Sequence, residues 1–201
     1  MGFEATRRAG ADPAQLPAVF SSSGGDGENC HEICQVLASA ERQLSPTRFH
    51  NSVHNAAAGY WSIATGATPA SNALCAYDAS FAAGLIEALT QVAIERTAVI
   101  LIAYDASYPE PLRSARPIPD AFGVAMVLAP QARPAALGKI EAHLSDAPAA
   151  TIDAPLEGLR RAIPAARSLP LLALLACSAA GTTVLEYLEH ARLSVRVSPC
   201  P

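Results

Sequence analysis

Between Ser80 and Arg96 the sequence reads SFAAGLIEALTQVAIER, a helical pattern that is apolar nearly all the way round. Phe81, Leu85, Leu89 and Val92 form one side, Ala82, Ala83, Gly84 and Ala88 permit close packing, and only Glu87, Gln91 and Glu95 make a polar line. Water cannot cover such a helix without a large hydrophobic cost, so the pattern predicts a layered domain with this helix at its centre.

The flanking segments supply the layers. Ala98 to Tyr104 and Phe122 to Ala129 read as buried strands joined by the proline-rich loop Pro109 to Pro119. A short strand is expected over Asn72 to Ala76, and another over Ala18 to Ser22, ending in the turn Gly24-Gly25-Asp26-Gly27. Cys30, Ile33, Cys34 and Leu37 fall at i, i+3, i+4 and i+7, an apolar stripe that predicts an amphipathic helix facing the core. A further helix is expected from His54 to Thr65, closed by Gly66. Beyond Pro130 come a strand at Lys139 to Leu144, a helix at Leu156 to Ile163, a buried helix from Pro170 to Gly181, and strands at Thr183 to Leu188 and Leu193 to Val197. Residues 1–16 lack a clean period and read as a loose lead-in, with residues 17–201 as one domain. Alternation of strands and helices makes the class α/β.

Composition narrows the function. Of 201 residues 51% are hydrophobic and 16% charged, enough apolar material for one sizeable core. The 14 Lys and Arg against 18 Asp and Glu leave a net charge of -4 with no basic stripe to follow a phosphate backbone, which argues against nucleic acid. The apolar run Leu169 to Ala180 is far shorter than the roughly 20 residues of a spanning helix. No apolar signal core follows Arg7 and Arg8, so the cytoplasm is expected, where the five cysteines stay reduced.

Motifs for familiar chemistry are missing or incomplete. No Gly-x-Ser-x-Gly elbow occurs, and the glycine-rich turn Ser21 to Gly27 lacks the Gly-Lys-Ser/Thr ending of a phosphate loop. Cys30, Cys34, His50 and His54 give C-x3-C followed by H-x3-H, a spacing compatible with tetrahedral zinc. Against zinc, both cysteines fit the apolar stripe of their helix, and the intervening segment has no small core of its own.

Two stretches carry a specific resemblance: Phe49-His50-Asn51-Ser52-Val53-His54-Asn55-Ala56-Ala57-Ala58-Gly59 and Cys75-Ala76-Tyr77-Asp78-Ala79-Ser80-Phe81-Ala82-Ala83-Gly84-Leu85. The first resembles the Asn-x-x-Ala-Gly helix of the β-ketoacyl synthases, the second the strand-turn-helix elbow that holds their nucleophile. Laid on that elbow, the nucleophile position falls on Tyr77. A condensing-enzyme cysteine works as a thiolate stabilised at the amino-terminal end of the buried helix, and a phenol with a reference pKa near 10 is no substitute. Asp78 and Ser80 suit helix caps. Cys75 lies two residues upstream on the same strand face, as either an alternative nucleophile or a small buried apolar residue. The two polarising histidines of the synthases have no counterpart after Leu144, and His50 and His54 stand in the wrong block. The resemblance calls for no cofactor, and implies a chain that is not an enzyme by itself.

Within that family the phrases Ser45 to Asn55 and Ser80 to Leu85 resemble chain length factors, cysteine-less relatives that pair with an active synthase, and among them the short subfamily associated with aryl polyene and other type II polyketide clusters. This implies a thiolase-like α/β half-fold, a mixed sheet with a buried central helix, lacking the first strand and helix that synthases carry before the Ala18 strand. It also implies a heterodimer with an active β-ketoacyl synthase, pairing through Asn72, Ala73 and Leu74, with the acyl carrier protein met indirectly. Asn29, Cys30 and Ile33 would then wall the acyl tunnel, or pack the core of their own helix. Three rivals stand beside this: an acyltransferase using Cys75, a zinc-dependent binding module, and a truncated or mis-started product.

Overall fold

Residues 1–200 are described by the computed structural model, and its centre is a pair of strands that bury both faces. Strand β1 (Ala18–Ser21) is buried throughout, and β3 (Val99–Asp105) is buried at every position but Tyr104. Near-continuous apolar runs of this kind belong to parallel pairing with both faces covered. β1 pairs in parallel with β3 on one side and with β2 (Ser71–Leu74) on the other, while β4 (Phe122–Leu128) runs antiparallel to β3, giving the order β2-β1-β3-β4.

The two-residue period of these strands divides the core in two. Val19, Val99, Leu101 and Ala103 face one cluster, and Ala18, Phe20, Ile100 and Ile102 face the other. Helix α1 (Gly2–Arg8) lies against β3 and β4, and α4 (Ala56–Thr65) covers the second cluster with Ala58 and Trp61. The first cluster receives Phe81, Leu85, Ala88 and Val92 of helix α5 (Ser80–Glu95), the central helix expected from the pattern. Gly84 lets it approach: a Cβ there would lie 2.8 Å from that of Ser21. The same cluster runs on into a second, antiparallel sheet of order β5-β7-β6, from β5 (Lys139–Ser145), β6 (Gly181–Leu185) and β7 (Arg192–Ser198), through Leu185, Leu193, Val195 and Val197.

Several local expectations are corrected. The first residues, read as loose, form α1: Glu4 pairs with Arg7 and Arg8 at 2.7 Å across one turn, Thr6 is buried, and the Phe3 ring stands 5.0 Å from Trp61. Among the described residues no strand precedes β1. Helix α2 (Gly27–Ala38) forms where the stripe placed it, but the stripe is not core: Cys30, Cys34 and Leu37 are exposed, Ile33 is half-buried, and only Asn29 is buried. The physical reason is that α2 is tied down at its first turn, by Asp26 capping Asn29 N–H and by Asn29 Nδ2 donating to the Arg48 carbonyl, while among the described residues nothing covers Cys30, Cys34 or Leu37.

A helix that periodicity did not reveal, α3 (Pro46–Asn51), opens on a Ser45 cap and proline at its first position. A four-residue helix, α6 (Leu112–Ala115), interrupts the proline-rich loop, and α7 (Ala154–Ala162) precedes a 3-10 segment, Pro164–Ser168. Helix α8 (Leu169–Ala176) stops short of Gly181 because Ser178 turns left-handed (φ 50) and the Ser178 and Ala179 N–H groups donate back to the carbonyls of Leu175 and Leu174.

Candidate functional site around the strand-to-helix elbow

β2 hands the chain to α5 through Cys75, Ala76 and a 3-10 turn, Tyr77–Ala79. The reversal is sharp enough to hold Tyr77 at φ 52, a left-handed conformation that strains any residue with a Cβ. Ser80 clamps it: its hydroxyl donates to the Tyr77 carbonyl at 2.7 Å and accepts the Ala76 N–H at 3.1 Å, while Ser21 Oγ donates to the Ser80 carbonyl. Ser80 therefore serves the elbow upstream of the helix, in place of the N-cap expected of it. Asp78 is not a cap either, for both of its oxygens are taken by guanidinium groups, from Arg116 at 2.7 Å and Arg167 at 3.0 Å.

Tyr77, at the position read as the nucleophile's, is 62% exposed, and the Arg116 guanidinium stacks on its ring with Cζ 3.4 Å from the centroid. From Asp78 the ion pairs continue inward. Arg167 also meets Glu186, Glu186 meets Arg160 at 3.1 Å, and Arg160 meets Glu157 at 2.7 Å. The Arg160 pairing holds the Glu157 carboxyl at about 2. Above this ladder lies an open cleft of about 380 Å3 lined by Tyr77, Asp78, Arg116, Pro117, Ile118, Arg161 and Ala162.

Asp105, at the end of β3, fixes the floor of the elbow. It is buried, and its Oδ1 accepts the Ser23 N–H at 2.8 Å and the Ser23 hydroxyl at 2.5 Å, while Oδ2 accepts the Ala165 N–H at 2.7 Å. Burial raises its pKa, against the pull of those three donors. Sequence reading passed over this residue, although a lone carboxylate closing the apolar run VILIAY was a usable signal.

The other sequence candidates are dispersed. Cys75 is exposed, not a buried apolar residue, and its thiol donates to the Ser23 carbonyl at 3.1 Å. Asn29 is buried on its hydrogen bond to Arg48, with Cys30 exposed and Ile33 half-buried beside it. Asn72, Ala73 and Leu74 lie on β2, an edge strand with no neighbour on its outer side among the described residues. There Asn72 is exposed and donates to Glu87 at 2.7 Å, whereas Ala73 and Leu74 are half-buried against the two clusters. Leu37, Phe49, Val53, Tyr60 and Ile63 present an exposed apolar set on and between α2, α3 and α4. Cys30, Cys34 and His50 are exposed and His54 lies beside Gly25; among the described residues no three His, Cys, Asp or Glu side chains are grouped to hold a metal ion. Among them also, no helix is long and apolar enough to cross a membrane.

Comparison with known proteins matches the family and the fold. The family model described as "Beta-ketoacyl synthase, N-terminal domain" covers residues 2–169. A solved ketosynthase in complex with its chain length factor, from Xenorhabdus doucetiae, superposes with a TM-score of 0.66 at 24% identity, covering 90% of this chain and 70% of that one. The ishigamide ketosynthase/chain length factor gives 0.62 at 15% identity, covering 94% and 74%. No curated protein matches the sequence. The fold is thus thiolase-like, a mixed α/β sheet around a buried helix.

Proposed function

The chain belongs to the β-ketoacyl synthase amino-terminal domain family, and from that membership we propose that it is a non-catalytic, chain length factor-like subunit that pairs with an active synthase in type II chain elongation of the aryl polyene kind. The observation that carries the reading is Tyr77 on the elbow, bent left-handed and stacked under Arg116, at the position that the resemblance assigns to the nucleophile. A phenol there cannot take up an acyl group as a cysteine does at neutral pH. The outward edge of β2, together with the uncovered stripe of α2, supports a partner that continues the sheet and buries that stripe. In this role Asn29, Cys30 and Ile33 stand near the acyl path, the carrier protein is met through the partner, and the pair works in the cytoplasm.

Co-expression with an active synthase tests the reading. The unmutated chain co-purifies with it, Asn72→Lys and Ala73→Glu on β2 reduce recovery at least several-fold, and Gln91→Glu on α5 leaves it unchanged. Circular dichroism controls for folding, since Ala73 also touches the core. Undiminished recovery of a folded Asn72→Lys chain, or an unmutated chain that stays apart from excess synthase, defeats the proposal.

A further inference from the structure

The cleft beside Tyr77 carries a charge that the ion-pair ladder leaves uncompensated. Three guanidinium groups, those of Arg116, Arg160 and Arg167, meet three carboxylates, those of Asp78, Glu157 and Glu186, and a fourth, that of Arg161, acts on Glu157 only through its charge. Asp78 is shared by Arg116 and Arg167, Glu186 by Arg160 and Arg167, and Glu157 is engaged by Arg160. The surplus positive charge rests on Arg161, which is exposed, lines the cleft, and makes no ion pair or side-chain hydrogen bond among the described residues. In a chain of net charge -4 this is a local reversal of sign.

The remaining walls are of a different character. Pro117 and Ala162 give an apolar side, with Ile118 buried behind them, and one face of the Tyr77 ring is covered by Arg116 while most of the side chain stays open. The volume, about 380 Å3, falls near the low end of ligand pockets, roughly 300–1,000 Å3. One cation at the rim of a short apolar trough fits an amphipathic monoanion better than a fully hydrated inorganic ion, because only the former loses apolar surface to water on entering. We propose that this cleft binds a small carboxylate carrying a short apolar chain, its head on Arg161 and its chain along Pro117 and Ala162. The site is independent of the partner reading, for a chain that paired with no synthase would still hold it.

Arginine labelling with phenylglyoxal, read residue by residue by mass spectrometry on the full-length chain, tests the assignment. Arg42, exposed and without an ion pair or side-chain hydrogen bond among the described residues, is the internal reference. Butanoate slows labelling of Arg161 relative to Arg42, and the effect saturates. Acetate protects roughly fivefold less well, as partial burial of two fewer methylenes requires, and chloride at equal ionic strength does not protect. Ala162→Asp, folded by circular dichroism, places a competing carboxylate in the cleft and abolishes the butanoate effect. The proposal is overturned if butanoate slows Arg161 no more than Arg42, if chloride or acetate does as well as butanoate, or if folded Ala162→Asp retains protection.

Discussion

Replacing Asp105 with alanine removes the carboxylate that joins three parts of the elbow: the turn after β1, the end of β3, and the 3-10 segment that carries Arg167 to Asp78. Two buried backbone N–H groups, of Ser23 and Ala165, lose their acceptor, and the Ser23 hydroxyl must rotate toward Tyr108, whose OH lies 3.4 Å away. Each orphaned buried donor costs about 1–3 kcal/mol, and removing a half-compensated buried charge returns part of that. The net expected loss is about 3 kcal/mol. With a urea slope of about 2 kcal/mol/M, the unfolding midpoint drops by about 1.5 M at unchanged slope. Asp105→Asn keeps one acceptor oxygen and loses about half as much. The pH response has a definite sign. Because burial raises this carboxyl's pKa, the folded chain holds the proton more tightly than the unfolded one, and Asp105 costs stability as pH rises from the unfolded carboxylate value through the raised folded value. Asp105→Asn abolishes that slope. A midpoint within about 0.3 M of the unmutated chain in Asp105→Ala, about 0.6 kcal/mol on the same slope, refutes the clamp.

Three further outcomes are expected. Tyr77→Cys, assayed with malonyl carrier protein, shows neither condensation nor decarboxylation, since Asp78 and its arginines hold the elbow as a structural joint; turnover above the unmutated chain contradicts this. Cys34→Ala changes stability by less than about 0.5 kcal/mol and purified chain carries no stoichiometric zinc, because Cys34 is an exposed side chain outside any ligand group; loss of the fold together with one equivalent of metal contradicts it. Glu157, held at about 2 from an ordinary 4.5, contributes stability above pH 4.5 that is lost as pH falls toward 2. Glu157→Gln flattens the acid limb of the unfolding curve, and an unaltered limb counts against the ladder.

How much of this was legible in the sequence depended on the range of the interaction. The α5 pattern determined a buried central helix, and the runs at Ala18, Ala98 and Phe122 determined strands, because side-chain periodicity along one element states directly which faces must leave water. The two phrases around Asn55 and Ser80 carried the family, and they placed Tyr77 on the elbow before any coordinates did.

Periodicity has no means of saying what lies across from a face. The stripe Cys30, Ile33, Cys34 and Leu37 has the spacing of a core face, yet the described residues leave all of it but Ile33 open, and only the tertiary structure decides that. The same limit separates Asp78 as a cap, a local expectation, from Asp78 as the meeting point of Arg116 and Arg167, which lie 38 and 89 residues away along the chain. Asp105, whose acceptors bind Ser23 and Ala165, 82 and 60 residues distant, is a third case. Hydrophobic pattern is written residue by residue and survives in the sequence. Polar satisfaction is a pairing between remote positions, and it exists only once the chain has closed on itself.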